Sequence, residues 1–380
     1  MPNPNSINNS ATGDPSGVAY IDDFEGAKRT TSFPIQRRFW KTSSPPLIGS
    51  LNKTLSHRNR ANMYWYNPYV QWRTKDIWPN QETSIRAQNE TTDILVMNYK
   101  PFDHQSQLAQ DSLWAGIITT LYSGDYDQTQ TKFFEIWIRN KNGAQSKLSI
   151  DLGKISEDWN GDGSLNTEDI PIAGMIGDGL LDDSEDIGLD GCSDETENGW
   201  GGCLDFGGTY NEYLSAGETE LINVGNDIDP NDPNGDNWNY SEGSNDYKSI
   251  NGTEGNALDA GRYPDTEDLD RTGFLDKTND YFTKTFTLDD TTYFSGETVK
   301  NGQPTGWKLF RIPLSHFEMA DSTGNDEWNE IKFCRIRLSD TTQTWIQVAK
   351  IELVGNECCL LYTSDAADDM QCVDLGGRRI

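Results

Sequence analysis

Negative charge is concentrated in one part of this chain. Residues 151–280 contain 33 Asp and Glu against 5 Lys and Arg, whereas the rest of the chain contains 28 acidic and 26 basic residues. The acidic part also has 21 glycines and few apolar residues, so its self-repulsion opposes packing into a core of its own. The sequence therefore predicts a nearly neutral domain with an acidic insertion that needs cations in order to fold.

The distribution of charge and apolar residues also limits the partners of the chain. No cluster of basic residues is present that would displace counterions from nucleic acid, so nucleic acid is not an expected partner. No run of about 18 apolar residues occurs, so no membrane-spanning helix is predicted.

The two ends of the chain differ in character from the rest. Residues 1–17 are a polar lead-in that lacks the charged and apolar regions of a signal peptide, and we interpret them as the start of a fragment. The sequence changes abruptly at Cys358, and residues 358–380 show neither strand alternation nor a helical period. This tail is interpreted as translated sequencing-adapter read-through; a natural short tail is the alternative.

Outside the insertion, short segments rich in β-branched and aromatic residues have the pattern of strands. In one of them Phe134, Ile136 and Ile138 share a face, and the following pair Asn142 and Gly143 predicts a hairpin turn, because both residues tolerate positive φ. No window of comparable length shows a sustained helical period. The predicted strands are 94–99, 114–122, 133–139, 147–152, 281–288, 306–314, 331–339 and 345–353.

These elements predict an all-β fold, an antiparallel jelly-roll or sandwich-like domain with a long, loop-rich, acidic calcium-binding insertion. Residues 18–152 are expected to form the first part of the domain, 153–280 the insertion and 281–357 the closing strands. The segments VAYIDDFEG and VAKIELVG, at the two ends of the domain, are expected to pair in one sheet.

The run DWNGDGSLNTED matches the twelve-residue calcium loop, in which side chains at positions 1, 3, 5, 9 and 12 and the backbone carbonyl at position 7 bind the ion. Position 6 must turn sharply and is Gly163. Position 12 is Asp where the template has Glu, a substitution that dockerin-like loops share. A solvated acidic turn is the alternative. The predicted ligands of this first loop are Asp158, Asn160, Asp162, Ser164, Asn166 and Asp169.

The second half of this pattern recurs at 178–185 and at 272–279. The later copy, the third loop, carries fewer charges, so weaker binding is expected. The earlier copy, the second loop, lacks acids at its first two ligand positions and needs a neighbour to complete a site. The predicted ligands are Asp268, Asp270, Thr272, Phe274, Asp276 and Asn279 in the third loop, and Asp178, Asp182 and Glu185 in the second.

Calcium is therefore the predicted cofactor. Each ion would cancel two negative charges, and extracellular calcium is millimolar, so sites with dissociation constants of about 10⁻⁴ to 10⁻³ M are occupied outside the cell. This places the insertion on an exterior or periplasmic surface. The acidic run 226–237, with Asp227, Asp229, Asp232 and Asp236, follows no template and is interpreted as solvated.

Two of the six cysteines, Cys192 and Cys203, lie in the insertion. One interpretation is a short disulfide loop formed in an oxidising compartment, and the other is two free thiols. A zinc site of the CxxC type is not supported, because the cysteine spacing is too wide and only three His are present.

The aromatic cluster 63–79, MYWYNPYVQWRTKDIWP, allows two interpretations. It could form the stacking platform of a secreted or cell-surface carbohydrate-binding jelly-roll module, or it could belong to the core, as aromatics in a sandwich more often do. Catalysis is not predicted, because His57, His104 and His316 lie in no nucleophile or metal pattern, and no GxSxG, HExxH or phosphate loop occurs. A calcium-dependent hydrolase is the remaining alternative.

Several of these segments, in their order along the chain, resemble the SprA/Sov family of the Bacteroidota, giant outer-membrane proteins of gliding motility and the type IX secretion system. The resemblance covers roughly residues 17–357, although the stretch 58–89 and the loop between the two cysteines match no family motif. The segments that carry it are YIDDFEG (20–26), FWKTSSPP (39–46), IDLGKISEDWNGDGSLNTEDI (150–170), INGTEGN (250–256), RYPDTEDLDRTGFLDKTNDYF (262–282) and GWKLFRIPLS (306–315).

The resemblance implies that the chain is an internal fragment of an outer-membrane protein-export translocon. The full-length family members are several times longer and form a very large transmembrane β-barrel, which this piece lacks. The expected partners are other secretion-system proteins and exported cargo proteins. The strand FFEIWIR comes close to the alternation of a barrel strand, but IKFCRIRLS places charge on both faces, so an extramembrane domain at the cell surface, on the extracellular or periplasmic side, is expected. The family carries no catalytic residues, and none are transferred.

Overall fold

Strands account for most of the regular structure of this chain. A computed structural model describes residues 27–47, 59–79, 90–170, 177–182, 184–199, 201–204, 229–261, 263–320 and 328–357. Residues 30–355 belong to one unit; the described residues of a second unit are only 27–29 and 356–357. The predicted opening strand VAYIDDFEG and the tail from Cys358 onward lie outside the described residues.

The strands are β1 (Ala27–Ser32), β2 (Lys41–Thr42), β3 (Asn62–Tyr66), β4 (Trp72–Arg73), β5 (Thr91–Thr92), β6 (Leu95–Lys100), β7 (Ala115–Thr120), β8 (Thr131–Asn140), β9 (Lys147–Lys154), β10 (Asp280–Thr287), β11 (Phe294–Lys300), β12 (Gln303–Pro313), β13 (Glu318–Met319), β14 (Phe333–Ser339) and β15 (Thr344–Glu357). The α-helices are Thr74–Ile77 and Ala257–Ala260, and the 3₁₀ turns are Arg37–Phe39, Asp103–Gln107, Gln110–Ser112, Ser123–Asp125 and Leu314–His316. None of the helices in the described ranges has the length and apolar character needed to cross a membrane.

The strands form two larger sheets and one two-stranded ribbon. The seven-stranded sheet has the order β11-β12-β8-β15-β6-β3, with β1 also paired to β15, and the six-stranded sheet has the order β13-β10-β9-β14-β7-β2. Strands that follow one another along the chain often change sheet, as β6, β7, β8 and β9 do in turn, which is how a jelly roll is built. The predicted all-β, antiparallel jelly-roll-like sandwich is therefore confirmed, and the first described strand pairs with the last.

The core lies between the two large sheets. Phe134, Ile136 and Ile138 of β8 are at most 1% exposed and pack in one cluster with alternate residues of β9, such as Leu148 and Ile150. The prediction that the three β8 residues share a buried face is confirmed. Each such side chain contributes about 1.5–3 kcal/mol when it is fully buried, so this cluster supplies the main stabilisation of the sandwich.

The hairpin predicted at Asn142 and Gly143 is wrong. Gly143 does have a positive φ of 71°, but β8 pairs with β12 and β15, whereas β9 pairs with β10 and β14. The turn therefore carries the chain from one sheet to the other. Local turn chemistry was recognised correctly, but the partner of each strand is decided by packing between distant segments.

A buried ionic network lies on the six-stranded sheet, on the side away from the main core. Asp151 accepts hydrogen bonds from Nε of Arg335 at 2.7 Å and Nε of Arg337 at 3.0 Å, and both Asp151 and Arg335 are 0% exposed. Burial opposes the ionised form of Asp151, yet the two guanidinium groups bring its pKa below the usual range.

Candidate metal centre

The first and third loops lie side by side because the insertion connects two strands that pair with each other. β9 pairs with β10 along its whole length, with Lys154 opposite Asp280. The first loop, 158–169, follows β9, and the third loop, 268–279, directly precedes β10. An isolated antiparallel bridge between Thr167 and Thr266 joins the two segments again.

The first loop is folded around carboxylates that accept hydrogen bonds from its own backbone. Asp158, at position 1, accepts from the N–H of Gly161 at 2.7 Å and of Gly163 at 3.0 Å. Asp162, at position 5, accepts from the N–H of Ser164 at 2.6 Å. Gly163 has φ = 80°, the left-handed conformation that a sharp turn at position 6 requires.

The third loop repeats this arrangement. Asp268, at position 1, accepts from the N–H of Thr272 at 2.9 Å and of Gly273 at 2.6 Å, and Gly273 also has φ = 80°. The side chain of Phe274 is 77% exposed, which agrees with a position that supplies only its backbone carbonyl.

Each of these loops is preceded by a glutamate that reaches into the other loop. Glu157 accepts hydrogen bonds from the backbone N–H groups at positions 2 and 9 of the third loop, and Glu267 does the same in the first loop. The two loops are thus related by a reciprocal exchange of carboxylates. The contacts are Glu157 with Leu269 (2.8 Å) and Asp276 (3.0 Å), and Glu267 with Trp159 (2.8 Å) and Asn166 (2.8 Å).

Sequence reasoning missed both glutamates because the calcium template begins at position 1. The signal that could have found them is the repeated Ser/Thr-Glu-Asp at 156–158 and 266–268. Glu157 is 3% exposed and Glu267 is 2% exposed. Burial raises the pKa of Glu157 to about 7 and that of Glu267 to about 8, so without a cation both groups bind protons near neutral pH.

Glu157 also belongs to a group of carboxylates that can hold a metal ion. One carboxylate oxygen from each of Glu157, Asp268 and Asp270 lies within 4.8 Å of the others. Oδ1 of Asp270 is buried without a hydrogen-bond partner, and Lys332 approaches the other oxygen at 3.4 Å. Hard divalent cations prefer such all-oxygen sets. The structure thus brings together two predicted ligands and one residue that was not predicted.

The predicted twelfth ligand of the first loop, Asp169, contacts the second loop. Asp169 accepts from the N–H of Gly179 in the second loop at 2.9 Å, and its Oδ1 is buried without a partner. Among the carboxylate groups found in the described ranges, none combines Asp158 and Asp162 with Asp169. The complete ligand set of the first loop stays a prediction.

The remaining predicted ligands make local hydrogen bonds with the backbone and with each other. Glu185 of the second loop also contacts the end of the first loop, because its carboxylate accepts hydrogen bonds from the backbone N–H of Ile170, just after the first loop, and of Asp182 in the second. The contacts are Glu185 with Ile170 (3.2 Å) and Asp182 (3.0 Å), Asp178 with Leu180 (2.9 Å), Asn160 with Asp162 (3.1 Å), Asp276 with Thr278 (2.8 Å), Asn279 with Ser156 (3.2 Å) and Thr272 with Phe274 (3.2 Å).

Cys192 and Cys203 are joined by a disulfide, with their Cα atoms 5.6 Å apart. Next to them, the interpretation of 226–237 as a solvated run fits only part of the segment. Asp229 is exposed, whereas Asp232 and Asp236 are half-buried and lie within 4.8 Å of other carboxylates. The folded insertion brings these groups together, which its linear sequence did not indicate. Asp227 lies outside the described residues.

Basic residues from the N-terminal part of the sandwich hold the insertion in place. Arg37 forms an ion pair with Asp259 at 2.8 Å, and Lys41 pairs with Asp265. The guanidinium of Arg60 lies 4.9 Å from the ring centroids of Trp114 and of Trp159 in the first loop. Ion pairs with a solvent-accessible partner contribute little individually, so the contacts of the half-buried Arg60 are the more important anchor.

The aromatic cluster 63–79 mainly packs inside the protein. Trp65 joins the main core, and Tyr66 stacks on Tyr247 of the insertion with ring centroids 3.8 Å apart. Tyr69, at 61%, is the strongly exposed aromatic of the cluster. This packing favours the core interpretation over a flat platform in this segment.

The histidines give no further information on catalysis. His316 lies next to the ring of Tyr293, with centroids 5.9 Å apart, and His57 lies outside the described residues. That the chain is not an enzyme stays a prediction.

The sheets and the insertion define the class of protein as an antiparallel jelly-roll sandwich with acidic groups able to hold metal ions. No protein-family model matches the chain, and no curated protein matches it. Among solved structures it is similar to a family 11 carbohydrate-binding module from Clostridium thermocellum in complex with a β-1,3-1,4-mixed-linked tetrasaccharide, with a TM-score of 0.28, 9% identity, and coverage of 82% of this chain and 96% of that one. It is also similar to the family 11 module of the cellulosomal cellulase Lic26A-Cel5E from the same organism, with a TM-score of 0.28, 10% identity, and coverage of 82% and 95%. At this TM-score the likeness carries no argument about ligands, and the fold assignment rests on the two sheets.

Proposed function

We propose that the chain is a non-catalytic β-sandwich domain whose acidic insertion is ordered by calcium in an extracellular or periplasmic compartment. The observation that carries this proposal is the reciprocal exchange of Glu157 and Glu267 beside the carboxylate group of Glu157, Asp268 and Asp270. A divalent cation in this group would hold the two loops together at the end of the six-stranded sheet. Its role is scaffolding, because the ion would fix loop geometry and not activate a substrate.

Calcium fits this group better than a transition metal. The donors are carboxylate oxygens, with no His or Cys among them, and such sets suit calcium and magnesium. Several carboxylates from different loop positions favour calcium, which accepts irregular geometries with six to eight oxygens. Millimolar calcium outside the cytoplasm is sufficient even for weak sites.

Calorimetry with and without a chelator tests the proposal. We expect calcium to raise the melting temperature of the wild-type protein, and Glu157→Gln to reduce this increase, because the substitution removes one ligand charge and one acceptor of the exchange. Glu242→Gln is the matched control, since Glu242 is an exposed glutamate of the same insertion. Melting that is unchanged by chelation would refute ordering by calcium.

For the biological role we propose an extramembrane domain of an outer-membrane protein-export translocon of the SprA/Sov type. This proposal is supported by the sequence motifs, of which 150–170 and 262–282 contain the two paired loops. The untrimmed gene tests it: the reading frame should continue on both sides into a much longer protein with barrel-type strands. A signal peptide directly upstream together with a stop codon after Glu357 would exclude this role.

Carbohydrate binding is the second candidate, and it is supported by the jelly-roll fold and by tryptophans on the outer side of the seven-stranded sheet. Trp137 of β8 and Trp345 of β15 pack there against a second cluster and are only half-buried. Glycan-array binding that is lost in Trp345→Ala, but is retained in Tyr122→Ala, would support this role; Tyr122 is 80% exposed and lies outside that cluster. Absence of glycan binding by the calcium-loaded protein would exclude it.

A further inference from the structure

A second concentration of carboxylates lies beside the disulfide and is formed by residues other than those of the paired loops. Two groups meet there: Asp190, Glu197 and Asp236 form one, and Asp194, Glu197 and Asp232 form the other, with one oxygen per residue within 4.8 Å in each group. Glu197 belongs to both. Two oxygens on opposite sides of one calcium ion are about 5 Å apart, because each bond is about 2.4 Å long. Each group therefore has the dimensions of a calcium shell.

Glu197 has a buried carboxylate oxygen that the surrounding hydrogen bonds do not satisfy. Its side chain is 0% exposed; Oε2 accepts from the N–H of Asn234 at 2.7 Å, and Oε1 has no hydrogen-bond partner. Oδ1 of Asp236 is likewise buried without a partner. None of the ion pairs between described residues involves either group, so no Lys or Arg side chain there compensates the charge. An ionised carboxylate in this condition is strongly unfavourable, and a bound cation would offset that cost.

The sequence around the disulfide also has the spacing of a calcium loop, which was not among the predicted loops. Counting from Asp186, Asp190 is at position 5, Gly191 at 6, Asp194 at 9 and Glu197 at 12, and Gly191 has the positive φ of 74° that position 6 requires. Asp186 itself has another role, because its carboxylate accepts from the N–H of residues 256 and 257, at the start of the helix Ala257–Ala260.

Position 3 of this loop is Gly188, which has no side chain to offer, and Asp236 from a distant segment takes its place. A Cβ at Gly188 would collide with Oδ2 of Asp236. The carboxylate of Asp236 thus occupies the space in which the side chain of position 3 would begin. The missing ligand of the loop is supplied from another part of the insertion.

The segments that carry these carboxylates are fixed to each other by the disulfide and by one asparagine. Cys192–Cys203 closes the loop that contains Asp194 and Glu197. The side-chain amide of Asn234 donates hydrogen bonds to the carboxylate of Asp190 and, at 3.1 Å, to the carbonyl of Gly202. Its backbone N–H donates to the carboxylate of Glu197. The carboxylates that would bind the ion are therefore held in place beforehand, which reduces the entropy lost on binding.

We propose that Asp190, Asp194, Glu197, Asp232 and Asp236 form a site for two calcium-class divalent cations, with Glu197 as the ligand that both ions share. The five carboxylates carry five negative charges, and two divalent ions cancel four of them. The site shares no carboxylate with the metal group proposed in the paired loops.

Native mass spectrometry of the disulfide-intact chain in calcium tests this inference by counting bound ions. We expect Glu197→Gln to lower the count by two, Asp236→Asn and Asp194→Asn to lower it by one each, and Glu195→Gln to leave it unchanged. Glu195 is the matched control, because it lies in the same loop and is exposed. A wild-type count in Asp236→Asn and Asp194→Asn overturns the proposal, even if Glu197→Gln fails to fold.

The same experiment separates this site from the paired loops. Glu157→Gln should lower the count by one through the loop site and leave the two ions at Glu197 in place. If Glu157→Gln lowers the count and the three variants at the disulfide do not, the two-ion site is wrong and the calcium-ordered loops stand. The opposite result leaves the two-ion site standing and removes the loop site.

Discussion

The exchange of glutamates between the paired loops gives the sharpest test of how the insertion is held together. Glu267 is 2% exposed and accepts two backbone hydrogen bonds, from Trp159 and Asn166. A backbone donor that loses its partner on a buried side chain costs about 1–3 kcal/mol, so Glu267→Ala, which removes the partner of two donors, should lower the free energy of unfolding by about 2–6 kcal/mol. Glu267→Gln keeps one acceptor oxygen and should lose about half of that.

Urea denaturation in millimolar calcium measures these changes. Glu195→Ala serves as the control for loss of charge and should stay within about 0.5 kcal/mol of the wild type, as exposed positions usually do. The double variant Glu157→Ala with Glu267→Ala should lose less than the sum of the single losses, because both glutamates hold the same pair of loops. A strictly additive double variant, or a Glu267→Ala protein as stable as the wild type, would refute the reciprocal arrangement.

Three further predictions concern the sandwich, the proton balance and the disulfide. Asp151→Asn should lower the free energy of unfolding by about 3–5 kcal/mol in urea titrations, because it leaves the buried Arg335 without its counter-ion; a loss below about 1 kcal/mol would contradict this. Burial raises the pKa of Glu168 from 4.5 to about 8, so the folded metal-free protein binds more protons than the unfolded chain between these pH values. The contribution of Glu168 to the free energy of unfolding should therefore be greatest below about pH 4.5 and fall as the pH rises to about 8. Thermal melts with chelator across this range check the sign, and a melting temperature that rises with pH would contradict it. Replacing Cys192 and Cys203 by Ser should lower the free energy of unfolding of the metal-free protein by about 3 kcal/mol, because the disulfide restricts the unfolded chain. Thermal melts measure this loss, and an unchanged melting temperature would contradict it.

The sandwich was largely predictable because its strands alternate. All eight predicted strands correspond to observed ones, since residues such as Ile136 and Ile150 must face the core at every second position. β11 was missed because this edge strand, FSGETVK, has an exposed or half-exposed side chain at every position and therefore no apolar alternation. β3, NMYWY, was missed because three consecutive aromatic residues show no alternation of apolar and polar positions.

The candidate metal sites were predictable only where a single segment carries the pattern. Asp268 and Asp270 were found from local spacing, and the structure places them together. Glu157 is more than one hundred residues away from them in the chain, and Asp236 similarly completes a loop to which it does not belong in sequence. A template that counts positions along one segment cannot recover ligands that arrive from another.

The connection of the insertion to β9 and β10 has a consequence for the order of assembly. These strands pair with each other from Lys147–Thr287 to Lys154–Asp280, so residues 155–279 form, in topological terms, the loop of a single hairpin. Each doubling of loop length adds only about 0.6 kcal/mol to the entropy of closure, so even a long and still unfolded loop does not prevent this pairing. The sandwich can therefore form first, in a compartment poor in calcium, while the acidic loop stays open. If calcium orders the insertion, as proposed, the insertion would take its final shape only where the ion is abundant, and the protein would acquire its complete surface only there.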